Sequence, residues 1–198
     1  MSKLQDLINQ YCPNGVEYFT LNEICEIKTG KGITKNESNV NGKYPIISGG
    51  VSIMGYCDYF NRNENNITIA RAGTAGYVNY ITTKFYLNDK CFSIIPKECF
   101  KNNINTKFLY FYLKNIEKDI MKLKNTGGVP TINTKQLSTI LIPLPPLPIQ
   151  QYIVDVLDKF TELYKELKDE TELRNKQYKY YLNEMMRFNK EEKNDWYI

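Results

Sequence analysis

Arg71 is the side chain with the most chemical reach. It is one of only four arginines and opens the stretch Arg71-Ala72-Gly73-Thr74-Ala75-Gly76 between two apolar, β-branched runs. The glycines permit positive φ and a tight reversal, which leaves Arg71 and Thr74 near a loop tip. A guanidinium there suits bidentate contact with guanine, a clamp on phosphate, or a plain surface ion pair. Lys31 and Lys35, in the polar loop after Lys28, carry charge with little geometric discrimination; they suit phosphate, or simply solvate the loop. Ser48, Gly49, Gly50 and Ser52 follow a strand-like run. Their small size allows close approach of a ligand and their hydroxyls can meet bases or phosphates, although the same composition makes an ordinary turn. Thr131, Asn133 and Lys135 follow Gly127-Gly128; Asn133 either bonds adenine or, the preferred reading, caps a helical turn. Tyr56, Tyr59 and Tyr77 are candidates for stacking or sugar contact, but most of the 16 tyrosines must pack or lie on the surface.

Other chemistries start at a disadvantage. The chain has no histidine, which removes the usual catalytic base and the commonest metal ligand. Five cysteines, at positions 12, 25, 57, 91 and 99, form no C-x-x-C pair, so neither a disulfide framework nor a zinc site is expected. Asp58, Glu64, Asp89 and Lys90 would be needed by a metal-dependent nuclease, yet no E-x-K companion follows Asp89-Lys90. No glycine-rich loop between a first strand and a helix suggests a methyl-donor site. No cofactor and no metal are expected. The net charge of +4 divides unevenly: residues 1–149 hold 17 Lys/Arg against 11 Asp/Glu, and residues 150–198 hold 9 against 11. A lysine excess of this size can merely solvate a surface, but it suits a polyanion and argues against an acidic DNA mimic. With no apolar stretch of about 18 residues and no secretory pattern at the amino terminus, a cytoplasmic protein is expected.

The elements that must position these residues follow from periodicity. Leu4, Leu7, Ile8 and Tyr11 are spaced as a short helix, stopped by Pro13-Asn14-Gly15. Thr20 and Glu23 form a capping box for a second short turn. From Tyr44 to Ile95 the runs YPII, ITIA, GYVNYI and CFSII read as strands, the middle two as a hairpin. Leu109, Tyr112, Leu113, Ile116, Ile120 and Leu123 predict one helix packed on the sheet, with Asn105 or Thr106 as its cap. A turn over Thr134–Leu137 and a strand over Thr139–Ile142 follow. Pro143 to Pro148 should be extended and should mark the domain boundary. Beyond it Ile149, Ile153, Val156, Phe160, Leu163, Leu167 and, after the polar Glu170, Arg174 and Gln177, Tyr181 form a heptad-like stripe on a helix from about 149 to 188. Such a stripe calls for a second helix from another chain, or else folds back on its own domain.

This order of motifs resembles the target-recognition domain and following helix of type I restriction-modification specificity subunits. The resemblance is carried by Gly42-Lys43-Tyr44-Pro45-Ile46-Ile47 through Gly55-Tyr56, by Ile67 to Gly76, by Gly127 to Asn133, and above all by Leu141-Ile142-Pro143-Leu144-Pro145-Pro146-Leu147-Pro148-Ile149-Gln150-Gln151. It implies an α+β fold: residues 1–145 as a DNA target-recognition domain with a twisted β-sheet and packed helices, and 146–198 as a long helix for dimerisation, spacing and subunit docking. The family's usual chain carries two such halves and this one carries one, so it resembles the half-subunit form, or a fragment. The implied function is non-catalytic reading of one half of a bipartite site on double-stranded DNA, as a homodimer, while modification subunits methylate adenine and restriction subunits, if present, cleave. The rival expectations are a metal-dependent nuclease and an assembly protein that never touches DNA.

Overall fold

The computed structural model describes residues 3–34, 37–125, 128 and 130–187. The candidate Lys35 and the C-terminal residues 188–198 lie outside them. The chain divides into two compact units, one ending at Val154 and one beginning at Asp155.

Helix α1 spans Lys3–Tyr11 and is followed by strand β1 at Tyr18–Thr20 and helix α2 at Leu21–Ile24. The expected capping box is formed: the Glu23 carboxylate accepts from the Thr20 N–H at 2.6 Å and the Thr20 hydroxyl at 2.8 Å. Strands β2 (Cys25–Thr29), β3 (Tyr44–Ile47), β4 (Gly55–Cys57), β5 (Asn66–Ala70), β6 (Val78–Ile81), β7 (Tyr86–Leu87) and β8 (Cys91–Pro96) follow. They build an antiparallel sheet of order β2-β8-β5-β6 and a three-stranded sheet of order β4-β3-β7, in which β3 and β7 run parallel.

Two helices stand where one was expected. Helix α3 (Thr106–Asn115) and helix α4 (Glu117–Lys122) are separated at Ile116, whose φ of −93° and ψ of 14° leave the α region. Apolar spacing is blind to such a break, since residues on either side keep one buried face. Helix α5 covers Thr134–Ser138, and strand β9 is confined to Leu141–Pro143, two residues later than the β-branched run suggested. Strand β9 pairs with β1, Tyr18 opposite Pro143 and Thr20 opposite Leu141, so the stretch entering the domain is joined to the stretch leaving it.

The core lies between the four-stranded sheet and helices α2 to α5. It is built from Leu21, Ile24, Ile67, Ile69, Val78, Phe92, Ile94, Leu109, Leu113, Ile120, Leu137 and Ile142. Ile67 and Ile69 alternate with Thr68, which is also buried. Opposite Thr68 is Ser93, whose hydroxyl accepts from Arg62 Nε at 2.7 Å and donates to the Lys28 carbonyl at 3.1 Å.

The proline-rich stretch is not extended throughout. Helix α6 spans Leu147–Met185, because Pro148 falls in the first turn, where a missing N–H costs no helical hydrogen bond. Buried Gln150 fastens this start to the domain. Its Oε1 accepts from the Asn105 N–H at 2.8 Å, and its Nε2 donates to the carbonyls of Asn103 and Pro145 at 2.8 and 2.7 Å. Asn105 in turn caps α3, accepting from the N–H groups of Lys107 and Phe108. At about 1.5 Å per residue α6 is about 58 Å long. Ile149 and Val154 are buried and Ile153 partly so, whereas Phe160, Leu163, Leu167 and Tyr181 are 50–65% exposed.

Candidate nucleic-acid interface

Several of the residues singled out from the sequence lie on four backbone segments that are bonded to one another. The turn after β3 and the β5–β6 loop meet first: the Thr74 N–H donates to the Gly49 carbonyl at 2.7 Å. Gly49 must lack a side chain for this, since a Cβ would lie 2.0 Å from the Ala72 carbonyl oxygen. The β7–β8 turn joins next, as the Arg71 and Ala72 N–H groups donate to the Lys90 carbonyl at 2.8 and 3.3 Å. The segment before α5 closes the set: the Ile132 N–H donates to the Arg71 carbonyl at 2.9 Å, and Ala72 and Thr131 form an antiparallel bridge.

A fifth strand of chain, carrying Lys31, is drawn in by Asn88. This residue is 3% exposed; its N–H donates to the Ile47 carbonyl at 2.9 Å, its Nδ2 to the Ile33 carbonyl at 3.4 Å, and its Oδ1 accepts from the Lys90 N–H at 3.0 Å. The Lys31 N–H donates to the Leu87 carbonyl at 3.0 Å. Lys31, Ser52, Arg71, Lys90, Asn133 and Lys135 are exposed along this rim. The Arg71 guanidinium carbon lies 5.9 Å from the Phe92 ring centre, which steadies its stem without consuming its N–H donors.

Some candidates have other duties. Ser48 and Gly49 are buried, so they shape the turn from within. Thr74 and Thr131 are half-buried and held by the backbone bonds above. The Asn133 side chain caps α5, accepting from the Gln136 N–H at 2.9 Å while Gln136 Oε1 accepts from the Asn133 N–H at 2.9 Å. Tyr77 sits at the hairpin foot with the Lys114 ammonium 4.4 Å over its ring. Tyr56 and Tyr59 belong to β4 and the loop after it, and Tyr59 packs edge-on to Tyr86 at 5.2 Å.

Lys90 is the residue that sequence reasoning assigned elsewhere. The signal was present in Leu87-Asn88-Asp89-Lys90, an Asn-initiated turn between two apolar runs, but it is the antiparallel pairing of β8 with β5, ending at Ala70 opposite Cys91, that brings it against Arg71. The nuclease carboxylates do not gather: among the described residues no three His, Cys, Asp or Glu side chains come together as a metal site. Asp58 instead accepts from Asn39 Nδ2 at 3.2 Å. Burial pushes the Cys25 and Cys91 thiols up to about 12, which holds them protonated.

The family model described as "Type I restriction modification DNA specificity domain" matches residues 13–193. The chain belongs to this family. A type I restriction enzyme specificity subunit of Mycoplasma pneumoniae is 34% identical over 188 residues, covering 89% of this chain and 54% of that protein. The specificity subunit of a type I restriction enzyme of Escherichia coli is 38% identical over 112 residues, 54% of this chain and 27% of its own length. Among solved structures, the S subunit of a type I restriction-modification system from M. genitalium superposes with a TM-score of 0.71 at 25% identity, covering 82% of this chain and 44% of that one. The HsdS subunit of Thermoanaerobacter tengcongensis shares the fold, with a TM-score of 0.60 at 21% identity. The chain spans about half the length of the curated relatives it matches. The α+β fold with a long helix over Leu147–Met185 is therefore that of the family. Among the described residues no helix is long and apolar enough to cross a membrane.

Proposed function

We propose that this specificity-family chain reads one half of a bipartite site on double-stranded DNA without catalysing any step, and that partner subunits methylate adenine and cleave. The observation that carries this reading is the backbone-linked rim that presents Lys31, Arg71, Lys90 and Lys135 together. Cations supply phosphate affinity and Arg71, as the one planar fork among them, supplies base discrimination. Residues 1–145 do the reading; residues 146–198 pair with a second copy and dock the modification subunits.

Helix α6 supports pairing with a second copy in an antiparallel sense. Residues 147–172 carry seven Asp/Glu against three Lys, and residues 173–187 carry four Lys/Arg against one Glu. Antiparallel partners bring the acidic half of one helix beside the basic half of the other, while parallel partners oppose like charges. The exposed Phe160, Leu163, Leu167 and Tyr181 supply the apolar seam. Two-fold symmetry then makes the DNA target an inverted repeat with a fixed gap.

Fluorescence anisotropy of the full chain with its modification subunit, on labelled duplexes over about 50–200 mM salt, tests the reading. Expected is affinity that falls steeply as salt rises and is weakened by Arg71→Ala and Lys90→Ala. Binding that ignores salt and both substitutions would overturn it in favour of an interaction-only protein.

A further inference from the structure

Strand β6 is an edge of the four-stranded sheet, so one side of its backbone has no neighbouring strand. At Val78, directly after the reading hairpin, that vacancy is filled by an ion pair. Glu117 Oε2 accepts from the Val78 N–H at 2.8 Å and from the Lys114 ammonium at 2.6 Å, and the same ammonium donates to the Val78 carbonyl at 3.0 Å. Lys114 and Glu117 straddle the break at Ile116, and their side chains are only 35% and 20% exposed. Lys114 also covers the Tyr77 ring. Two residues before Val78, Gly76 meets α4 so closely that a Cβ would lie 2.8 Å from the Met121 Cα.

We infer that Lys114 and Glu117 are positioning residues that stand in for a missing strand and set the height of the Arg71–Gly76 loop over DNA. This rests on the reading proposed above. Spaced three apart, both side chains reach β6 from either side of the break at Ile116. Helix α3 carries Lys114, and its other end is tied through Asn105 to buried Gln150 in the first turn of α6. The hairpin is thus registered to α3 as well as to its own sheet, so phosphate contacts and base contacts are separable: the lysines of the rim keep their charge whatever the loop does, while Arg71 needs the loop's height.

The test uses the full chain as Glu117→Gln, which keeps an acceptor for Val78 but drops the charge, and as Lys114→Met, which keeps the stem over Tyr77 but drops the donor. Should one variant not fold, the other carries the test. Amide hydrogen exchange over 71–78 is expected to quicken about tenfold, with the rest of the sheet unchanged. The ratio of affinities for a selected duplex over a scrambled one is expected to fall about tenfold, while scrambled-duplex affinity and its salt slope stay at the parent's values. A merely structural role would lower all binding together. Unchanged exchange overturns the latch, and faster exchange with an unchanged ratio overturns its part in reading. If the parent chain itself does not discriminate duplexes, the functional reading falls and the latch's part in reading with it, while exchange still decides whether the latch exists.

Discussion

At the scale of single residues the proposed interface divides into exposed side chains offered to DNA and buried atoms that make room. Arg71→Ala should cost about 1–3 kcal/mol of binding to the preferred duplex and relax preference at one base position, measured by anisotropy on a panel of point-substituted duplexes. Lys90→Ala should weaken all duplexes alike and reduce the salt slope by about one unit. Gly49→Ala places a methyl on the Ala72 carbonyl oxygen, so it should lower the melting temperature and impair reading together, because it parts the turn after β3 from the hairpin. A different residue-scale effect governs acid stability. Glu23 and Glu37 each accept from the N–H and hydroxyl of a threonine three residues earlier, and these bonds hold both carboxyls below the ordinary glutamate value of 4.5. Their folded values are depressed, so the stability they lend is complete above pH 4.5 and fades as pH falls through the folded values. The variant with Glu23→Gln and Glu37→Gln should therefore lose melting temperature at neutral pH and show a shallower decline on acidification.

At the scale of elements, periodicity and capping chemistry carried most of what could be read without coordinates. The strands YPII, ITIA and CFSII, the hairpin after ITIA, and the caps at Thr20, Asn105 and Asn133 stand where residue types put them, while the run GYVNYI is a strand only over Val78–Ile81. What escaped was decided by atoms distant in sequence. The break at Ile116 serves Val78, about forty residues earlier in the chain; the start of α6 at Leu147 rests on Gln150 filling three backbone sockets. Lys90 was hidden for the same reason, since the pairing of β8 with β5, strands about twenty residues apart, has no local signature. Capping residues give a direct check on this scale: Asn133→Ala removes the acceptor for the Gln136 N–H and should cost about 1 kcal/mol in chemical denaturation. If Asn133 also touched DNA, the same substitution would shift base preference, which duplex selection would register.

At the scale of the whole molecule, the proposed reading concerns a chain that spans about half the length of the curated relatives it matches. A single rim of four cations covers few base pairs, and discrimination grows with the number of positions read. In the proposed pairing, a second copy held through α6 by the opposed charges of its two halves would double the footprint and fix the gap between half-sites. Phe160→Glu with Leu167→Glu, both on the exposed seam, should shift the solution mass from twice 23.2 kDa toward 23.2 kDa and abolish recognition of the paired site, with the melting of the first unit little changed. The most direct measurement is selection from a randomised duplex library by the unaltered chain together with its modification subunit, followed by sequencing of the bound pool. The account predicts enrichment of one motif repeated in inverted orientation across a constant gap. A bound pool indistinguishable from the starting library would contradict it.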